Sequence, residues 1–364
     1  MSVRIVPDVQ RITQGPNNSY TVHHTDGTKM FIPPLVLKPL PPSKPFQRYI
    51  THGFVKETGV QGHTLPSFSW NNMDDVKQKR FAKDTKVPSQ IINSPQDQGN
   101  CGSCWIVSAV TMTSDRLAIS TLTNPQKLDI VDLCCNGQDG CDGADTATAF
   151  QSMYHSRLRP EKCNLYNQWC AAGYHCQSAV SSRVKYALPE CTCKGAPDNN
   201  ACAPIATVDA DSFVAFYVPL EKRVQVVQDE IFENGPVVVG FTVTDALIAR
   251  YTCKQKNDAP FDGSGNPLGG HAVVIVGWGP DYWVVRNSWG TSWNGDGYWK
   301  YNWNAGLEDS GTFPPTSWTA QYISSSASQR SVSLARSTEW LFVLIITAAA
   351  VVLLTAIVWQ INHK

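Results

Sequence analysis

Cys101-Gly-Ser-Cys104, inside Gln96-Asp-Gln-Gly-Asn-Cys-Gly-Ser-Cys-Trp105, offers two chemistries. As a Cys-x-x-Cys pair it fits a thiol–disulfide couple. Alternatively Cys104 alone is a nucleophile at the start of a helix, where unpaired N–H groups and the helix dipole favour a thiolate. A nucleophile of that kind needs a base, and the base needs a group that orients it. His271 follows Gly269-Gly270 and opens an apolar run, and Asn287 sits in Arg286-Asn-Ser-Trp-Gly290. A lone His before a strand is ordinarily structural, and so is a lone Asn. Together with Gln98 and Cys104 they form a set with the types that acyl transfer requires. The redox alternative is weakened because no βαβ pattern surrounds the pair, and because the second cysteine, not the first, opens the helix.

The elements that must hold these groups follow from patterning. Residues 105–121 carry Trp105, Val107, Ala109, Val110, Met112 and Leu117 without Pro or Gly, which predicts a buried helix beginning near Cys104. A second helix is expected over 146–159. Residues 222–234 read as an amphipathic helix stopped by Gly235-Pro236. Val237–Val243, Ala272–Trp278, Tyr282–Arg286 and Gly297–Tyr301 read as strands. Helices in the first half and strands in the second predict an α+β fold. Residues 160–204, rich in Cys, Pro and Asn, read as stapled loops. The N-terminal stretch is polar, and Ile32–Pro45 carries so many prolines that it is expected to be extended.

The 364-residue chain has ample length to bury a core. With 30 basic and 30 acidic residues its net charge is zero, and nothing concentrates a basic stripe, so no nucleic-acid partner is expected. Twelve cysteines, all but Cys253 between Cys101 and Cys202, read as a disulfide framework rather than a zinc site, since no Cys-x-x-Cys pair has a matching His pair. No cofactor or metal is expected. Met1–Asp8 has no apolar core and does not read as a signal peptide. Trp340–Trp359 is twenty residues without a charge, enough to cross a hydrocarbon core of about 30 Å, and aromatic residues stand at both ends. Arg330 and Arg336 before this span lean toward a cytosolic main domain, whereas use of the Asn17-Asn-Ser19 sequon would require a lumenal one.

Gln98-Gly-x-Cys-Gly-Ser-Cys-Trp105, Gly270-His-Ala-Val273 and Asn287-Ser-Trp-Gly290 resemble the three signature blocks of papain-like cysteine peptidases. Leu65-Pro-Ser-Phe-Ser-Trp70, Ser114-Asp-Arg116, Cys134-Cys135 and Glu233-Asn-Gly-Pro236 are similar to other family segments, and the resemblance covers residues 64–315 or so. The interval from Cys104 to His271 exceeds the family's usual ~130–150 residues. The Cys-rich insertion accounts for the excess, as in the cathepsin B branch.

The resemblance implies a two-lobed fold with a helical left lobe and a β-barrel-like right lobe. It makes Cys104 the nucleophile, His271 the acid and base, Asn287 its orienter and Trp289 a shield. Gln98 and the Cys104 N–H become the oxyanion hole, and Gly143, in Gly140-Cys-Asp-Gly-Ala144, offers its backbone to a protein or peptide substrate. It pairs Cys101 with Cys141, and Cys134 with a cysteine in 163–202. Adjacent histidines of the cathepsin B type are absent from the insertion, so endopeptidase action without dipeptide trimming is expected. The implied organisation is a pro-segment at 1–63 released near His63–Leu65, a peptidase domain at 64–318, a Ser-rich linker at 319–339 and a tail anchor at 340–359. Twelve cysteines without a signal peptide are compatible with a large-DNA-virus membrane or virion, or with a host endomembrane. A catalytically idle member of the fold is the competing reading.

Overall fold

The computed structural model describes residues 9–38, 62–136, 140–155, 158–163, 165–166, 170, 176–177, 203–208, 213–215, 220–253, 255–303, 317–320 and 323–325. The chain divides into Met1–Ile323 and Ser324–Lys364, and every feature below belongs to the first unit. Among the described residues no helix is long and apolar enough to cross a membrane. The expected span at 340–359 lies outside them, as does most of the insertion and of the linker.

The elements in chain order are β1 (Val9–Gln14), β2 (Tyr20–His24), β3 (Lys29–Ile32), β4 (Phe68–Ser69), α1 (Met73–Asp75), α2 (Cys104–Thr121), α3 (Val131–Asn136) and α4 (Thr146–His155). Then come β5 (Cys176–Gln177), β6 (Ala206–Val208), β7 (Phe213–Ala215), α5 (Leu220–Asn234), β8 (Val237–Thr244), α6 (Asp245–Arg250), β9 (Pro267–Trp278), β10 (Tyr282–Arg286), β11 (Tyr298–Asn302) and β12 (Ser317–Ala320).

Strands β1, β2 and β3 pair antiparallel, and β5 from the insertion adds to the edge of β3. This sheet lies ahead of the Ile32–Pro45 stretch expected to be extended, in residues where no strand was expected. The signal was present but short. Tyr20, Val22, Met30 and Ile32 alternate along β2 and β3 and are buried, and Asp26-Gly27 supplies the turn, with Gly27 at φ +84°. Pro33 and Pro34 lack N–H groups and end the pairing. The chain then runs on, extended, to Lys38.

The expected barrel-like half is an antiparallel sheet in the order β11–β10–β9–β8–β12–β7, with β4 also on β9. Strand β12 pairs Ser317 with Val239 and Trp318 with Val238. Against it lies α2, buried along nearly all of its eighteen residues. It ends at Leu122, whose left-handed backbone returns its N–H to the Ala118 carbonyl. Gly235 terminates α5 at φ +107°, and a Cβ there would come within 2.8 Å of Ile119 and 3.1 Å of Arg116. That close approach lets Arg116 donate to the Pro236 and Gly235 carbonyls at 2.8 and 3.0 Å and pair with Glu230 at 2.8 Å. A second buried pair, Arg286 with Asp115 at 2.7 Å, ties β10 to α2.

The cysteine expectation needs one correction. Cys134 is a free, fully buried thiol, while its neighbour Cys135 is disulfide-bonded. Successive helix residues point about 100° apart. On α3 that turns Cys134 into the core and leaves Cys135 half-buried, where a bridge can reach it. Cys163, Cys170 and Cys253 are also disulfide-bonded.

Candidate active site

Residues 96–104 form a loop clamped between two distant segments. The Gln98 N–H donates to the Ser288 carbonyl at 2.9 Å, and the Gly290 N–H donates to the Gln96 carbonyl at 3.0 Å. On the other side Cys101 and Cys141 are joined by a disulfide, and the Gly102 N–H donates to the Cys141 carbonyl at 3.0 Å. The loop delivers Cys104 as the first residue of α2, fully buried.

Burial pushes the Cys104 thiol up to about 12. The backbone amides of Ala272, Trp105 and Cys104 itself pull the other way. Ala272 directly follows His271 on β9, so the strand that carries the imidazole also supplies an amide to the sulfur.

His271 is fully buried, opposite Phe241 of β8. Its Nε2 lies 2.9 Å from Asn287 Oδ1. That oxygen also accepts the Ser288 N–H at 2.8 Å, which identifies it as the carbonyl oxygen of the amide. Nε2 therefore carries the proton, which makes Nδ1 the unprotonated nitrogen of the neutral ring. Trp289 stacks on the imidazole, 5.0 Å between centroids at 30°. Trp293 meets Trp289 edge-on at 5.3 Å, so the His–Asn bond sits behind two indoles.

Gln98 is fixed at every atom of its amide but one. Its Nε2 donates to the Cys101 carbonyl at 2.8 Å, and its Oε1 accepts from Ser288 Oγ at 2.5 Å. An amide nitrogen has two hydrogens, and the second is not used in these bonds. Ser288 was not singled out as a site residue, although it lies inside the Asn287-Ser-Trp block.

The cleft is occupied by the chain's own N-terminal segment. Val36 forms a parallel bridge with Gly270, the Leu37 N–H donates to the Gly270 carbonyl at 3.1 Å, and the Lys38 N–H donates to the Ala144 carbonyl at 3.2 Å. A Cβ on Gly143 would lie 2.1 Å from the Val36 carbonyl oxygen, and one on Gly102 would lie 2.4 Å from a Val36 methyl. Gly143 thus permits close approach at φ +83°, but the carbonyl that accepts the extended chain is that of Ala144. Such a backbone acceptor is insensitive to the side chain of Ala144. Upstream, Asn18 Nδ2 donates to the Leu35 and Leu268 carbonyls at 2.9 and 3.0 Å, and the Tyr20 hydroxyl lies 2.8 Å from Asn18 Oδ1 and 3.0 Å from the Leu268 carbonyl.

The arrangement brings a thiol at a helix N-terminus, an oriented imidazole and a free amide hydrogen to one cleft that holds extended peptide backbone. Comparison with known proteins gives a matching family model, papain family cysteine protease, over residues 81–312. Cathepsin B-like cysteine proteinase 4 of Caenorhabditis elegans is 29% identical over 62% of this chain and 71% of its own. Probable cysteine proteinase 224L of Invertebrate iridescent virus 6 is 26% identical over 69% of this chain and 64% of its own. Among solved structures, proCathepsin B S9 from Trypanosoma congolense aligns with a TM-score of 0.49 at 20% identity, over 79% of this chain and 83% of that one.

Proposed function

This chain belongs to the papain family of cysteine proteases, and on that premise we propose that it is a thiol endopeptidase held latent by its N-terminal segment and tethered to a membrane by its C-terminus. In this reading Cys104 attacks the scissile carbonyl, and His271 Nδ1 holds the thiol proton and returns it to the leaving amine. Asn287 keeps the imidazole in that tautomer, with Trp289 excluding water. The second Gln98 amide hydrogen and the Cys104 N–H receive the oxyanion, each such donor being worth about 3–4 kcal/mol of barrier.

The observation that carries the reading is the pairing of Leu35–Lys38 with both cleft walls. An extended peptide backbone is what the cleft binds, and while this one stays, Cys104 is fully buried and burial pushes its thiol up to about 12. Release of the segment rehydrates the cleft and lowers the cost of the thiolate.

The release point falls upstream of Gly62, within residues 39–61, rather than at His63–Leu65. Gly62 is seated so closely on α5 that a Cβ would lie 2.6 Å from the Gln228 carbonyl oxygen. The His63 N–H and Nδ1 both bond the Asp229 carboxylate, at 2.8 to 3.0 Å, and Trp278 Nε1 donates to the Leu65 carbonyl at 3.2 Å. A protease needs an extended, accessible strand, which this packed turn is not.

Asn18 and Tyr20 are the latch that holds the segment down. Each of their partly buried hydrogen bonds contributes on the order of 1 kcal/mol. The double substitution Asn18→Ala, Tyr20→Phe is expected to raise the basal turnover of the full chain tenfold or more, read with a fluorogenic peptide before any activation step. Turnover equal to wild type would remove the latch.

Membrane tethering rests on the uncharged run Trp340–Trp359. A viral or host endomembrane is the proposed site. Alkaline carbonate extraction of infected or expressing cells is expected to leave the full chain in the membrane pellet and to release a chain ending at 339. Release of both sinks the tether.

A further inference from the structure

Tyr166 comes from the Cys-rich insertion, far along the chain from the nucleophile loop, yet its side chain is 2% exposed and ends against that loop. Its hydroxyl lies 2.8 Å from the Gln98 main-chain carbonyl and 2.7 Å from Ser103 Oγ. The hydrogens can be assigned. A phenol has one hydrogen and a carbonyl has none, so Tyr166 donates to Gln98 and Ser103 donates to Tyr166. Ser103 stands at the N-cap of α2, where a serine hydroxyl usually accepts a first-turn N–H, but here it makes no such bond. Its hydroxyl is committed to Tyr166 instead. Burial pushes the phenol well above its ordinary range, so it stays a neutral donor through the working pH of any peptidase.

The two residues joined in this way are those that set the oxyanion donors. Gln98 carries one on its side chain, and Ser103 immediately precedes the Cys104 N–H. Resting on the protease reading above, we infer that Tyr166 is a positioning residue for the oxyanion hole, its hydroxyl bracing the Gln98 backbone against Ser103 and thereby fixing the separation of the Gln98 amide and the Cys104 N–H. The Ser288 hydroxyl on Gln98 Oε1 sets how the amide is rotated; Tyr166 sets where its backbone stands. Neither touches the reacting atoms. Donor placement matters because a shift of about 1 Å at such a site can cost roughly a hundredfold in rate. The brace also gives part of the insertion a catalytic purpose, since the segment that supplies Tyr166 follows disulfide-bonded Cys163.

The test uses the full chain after acid activation, as wild type, Tyr166→Phe, Ser103→Ala and the double variant. Three quantities are read: kcat and KM on a peptide substrate, inhibition by a peptide aldehyde, and alkylation of Cys104 by iodoacetamide. The aldehyde adduct places an oxygen in the hole, whereas alkylation uses the thiol alone. Tyr166→Phe is expected to lower kcat about tenfold with KM within twofold, to weaken the aldehyde about tenfold, and to leave alkylation within twofold. Ser103→Ala is expected to do the same, and the double variant no more than either, because all three break one link. Unchanged kcat and aldehyde affinity in a Tyr166→Phe chain that melts with wild type overturn the inference. A parallel fall in alkylation also overturns it, by showing general damage. Should Tyr166→Phe fail to fold, Ser103→Ala carries the same comparison. A wild-type chain without turnover brings down the protease reading itself, a result distinct from either.

Discussion

Cys104→Ala is expected to lower turnover of a peptide substrate by on the order of 10⁵-fold and to abolish labelling by a peptide electrophile directed at papain-like enzymes. No other described thiol can substitute. Cys101 is bound to Cys141 in a disulfide, and Cys134 is a buried thiol that burial pushes up to about 12. The variant retains the hydrogen-bonded His271–Asn287 pair, so its fold is expected to match wild type. A residual rate above about a hundredth of wild type, or labelling that persists without Cys104, would falsify the assignment. The products of the wild-type chain carry a second expectation: internal fragments rather than serial loss of C-terminal dipeptides, which mass spectrometry of a free-ended peptide reads directly.

Asp115→Ala is expected to destabilise the chain by about 3–5 kcal/mol, the usual cost of stranding one member of a buried ion pair. Asp115 and Arg286 are 0% and 2% exposed at their side chains and stand 2.7 Å apart. The remaining bonds make the site hard to relax. Asp115 Oδ1 accepts from the Asn93 N–H and Nδ2 at 2.6 and 2.8 Å, while Arg286 Nη1 donates to the Asn93 carbonyl at 2.8 Å. Removing the carboxylate leaves a guanidinium in the core with its counter-charge gone. Arg286 immediately precedes Asn287, and Asp115 lies on the helix that begins with Cys104. The pair thus couples the helix that begins with Cys104 to the strand that leads into Asn287, and activity is expected to fall along with stability. Urea unfolding of wild type and variant measures the first, and a loss under about 1 kcal/mol would show that the core rearranges to hydrate Arg286.

Much of the local architecture was legible in residue types. Helix α2 was expected near Cys104 because seventeen residues follow without Pro or Gly, and it begins there. The stop at Gly235-Pro236 and the strands that carry His271 and precede Asn287 were legible for the same reason, since propensity and turn chemistry act over a few residues. The N-terminal sheet was not legible because its strands are only four to six residues long and stand in a polar stretch. The second helix was expected to run to 159 and ends at His155, ahead of Pro160.

The amino-acid order alone determined which groups the proposed chemistry draws on: a cysteine that opens a helix, and a histidine and an asparagine each embedded in a glycine-bearing block. Tertiary structure decided what those groups face. It chose Cys135 over Cys134 for a bridge, laid Leu35–Lys38 between Gly270 and Ala144, and aimed the hydroxyls of Ser288 and Tyr166 at Gln98. The reason is that helix starts and turns are settled by neighbours in the chain. A cysteine's facing, a backbone edge's partner and a hydroxyl's target are settled only when burial brings together segments from opposite ends of the domain.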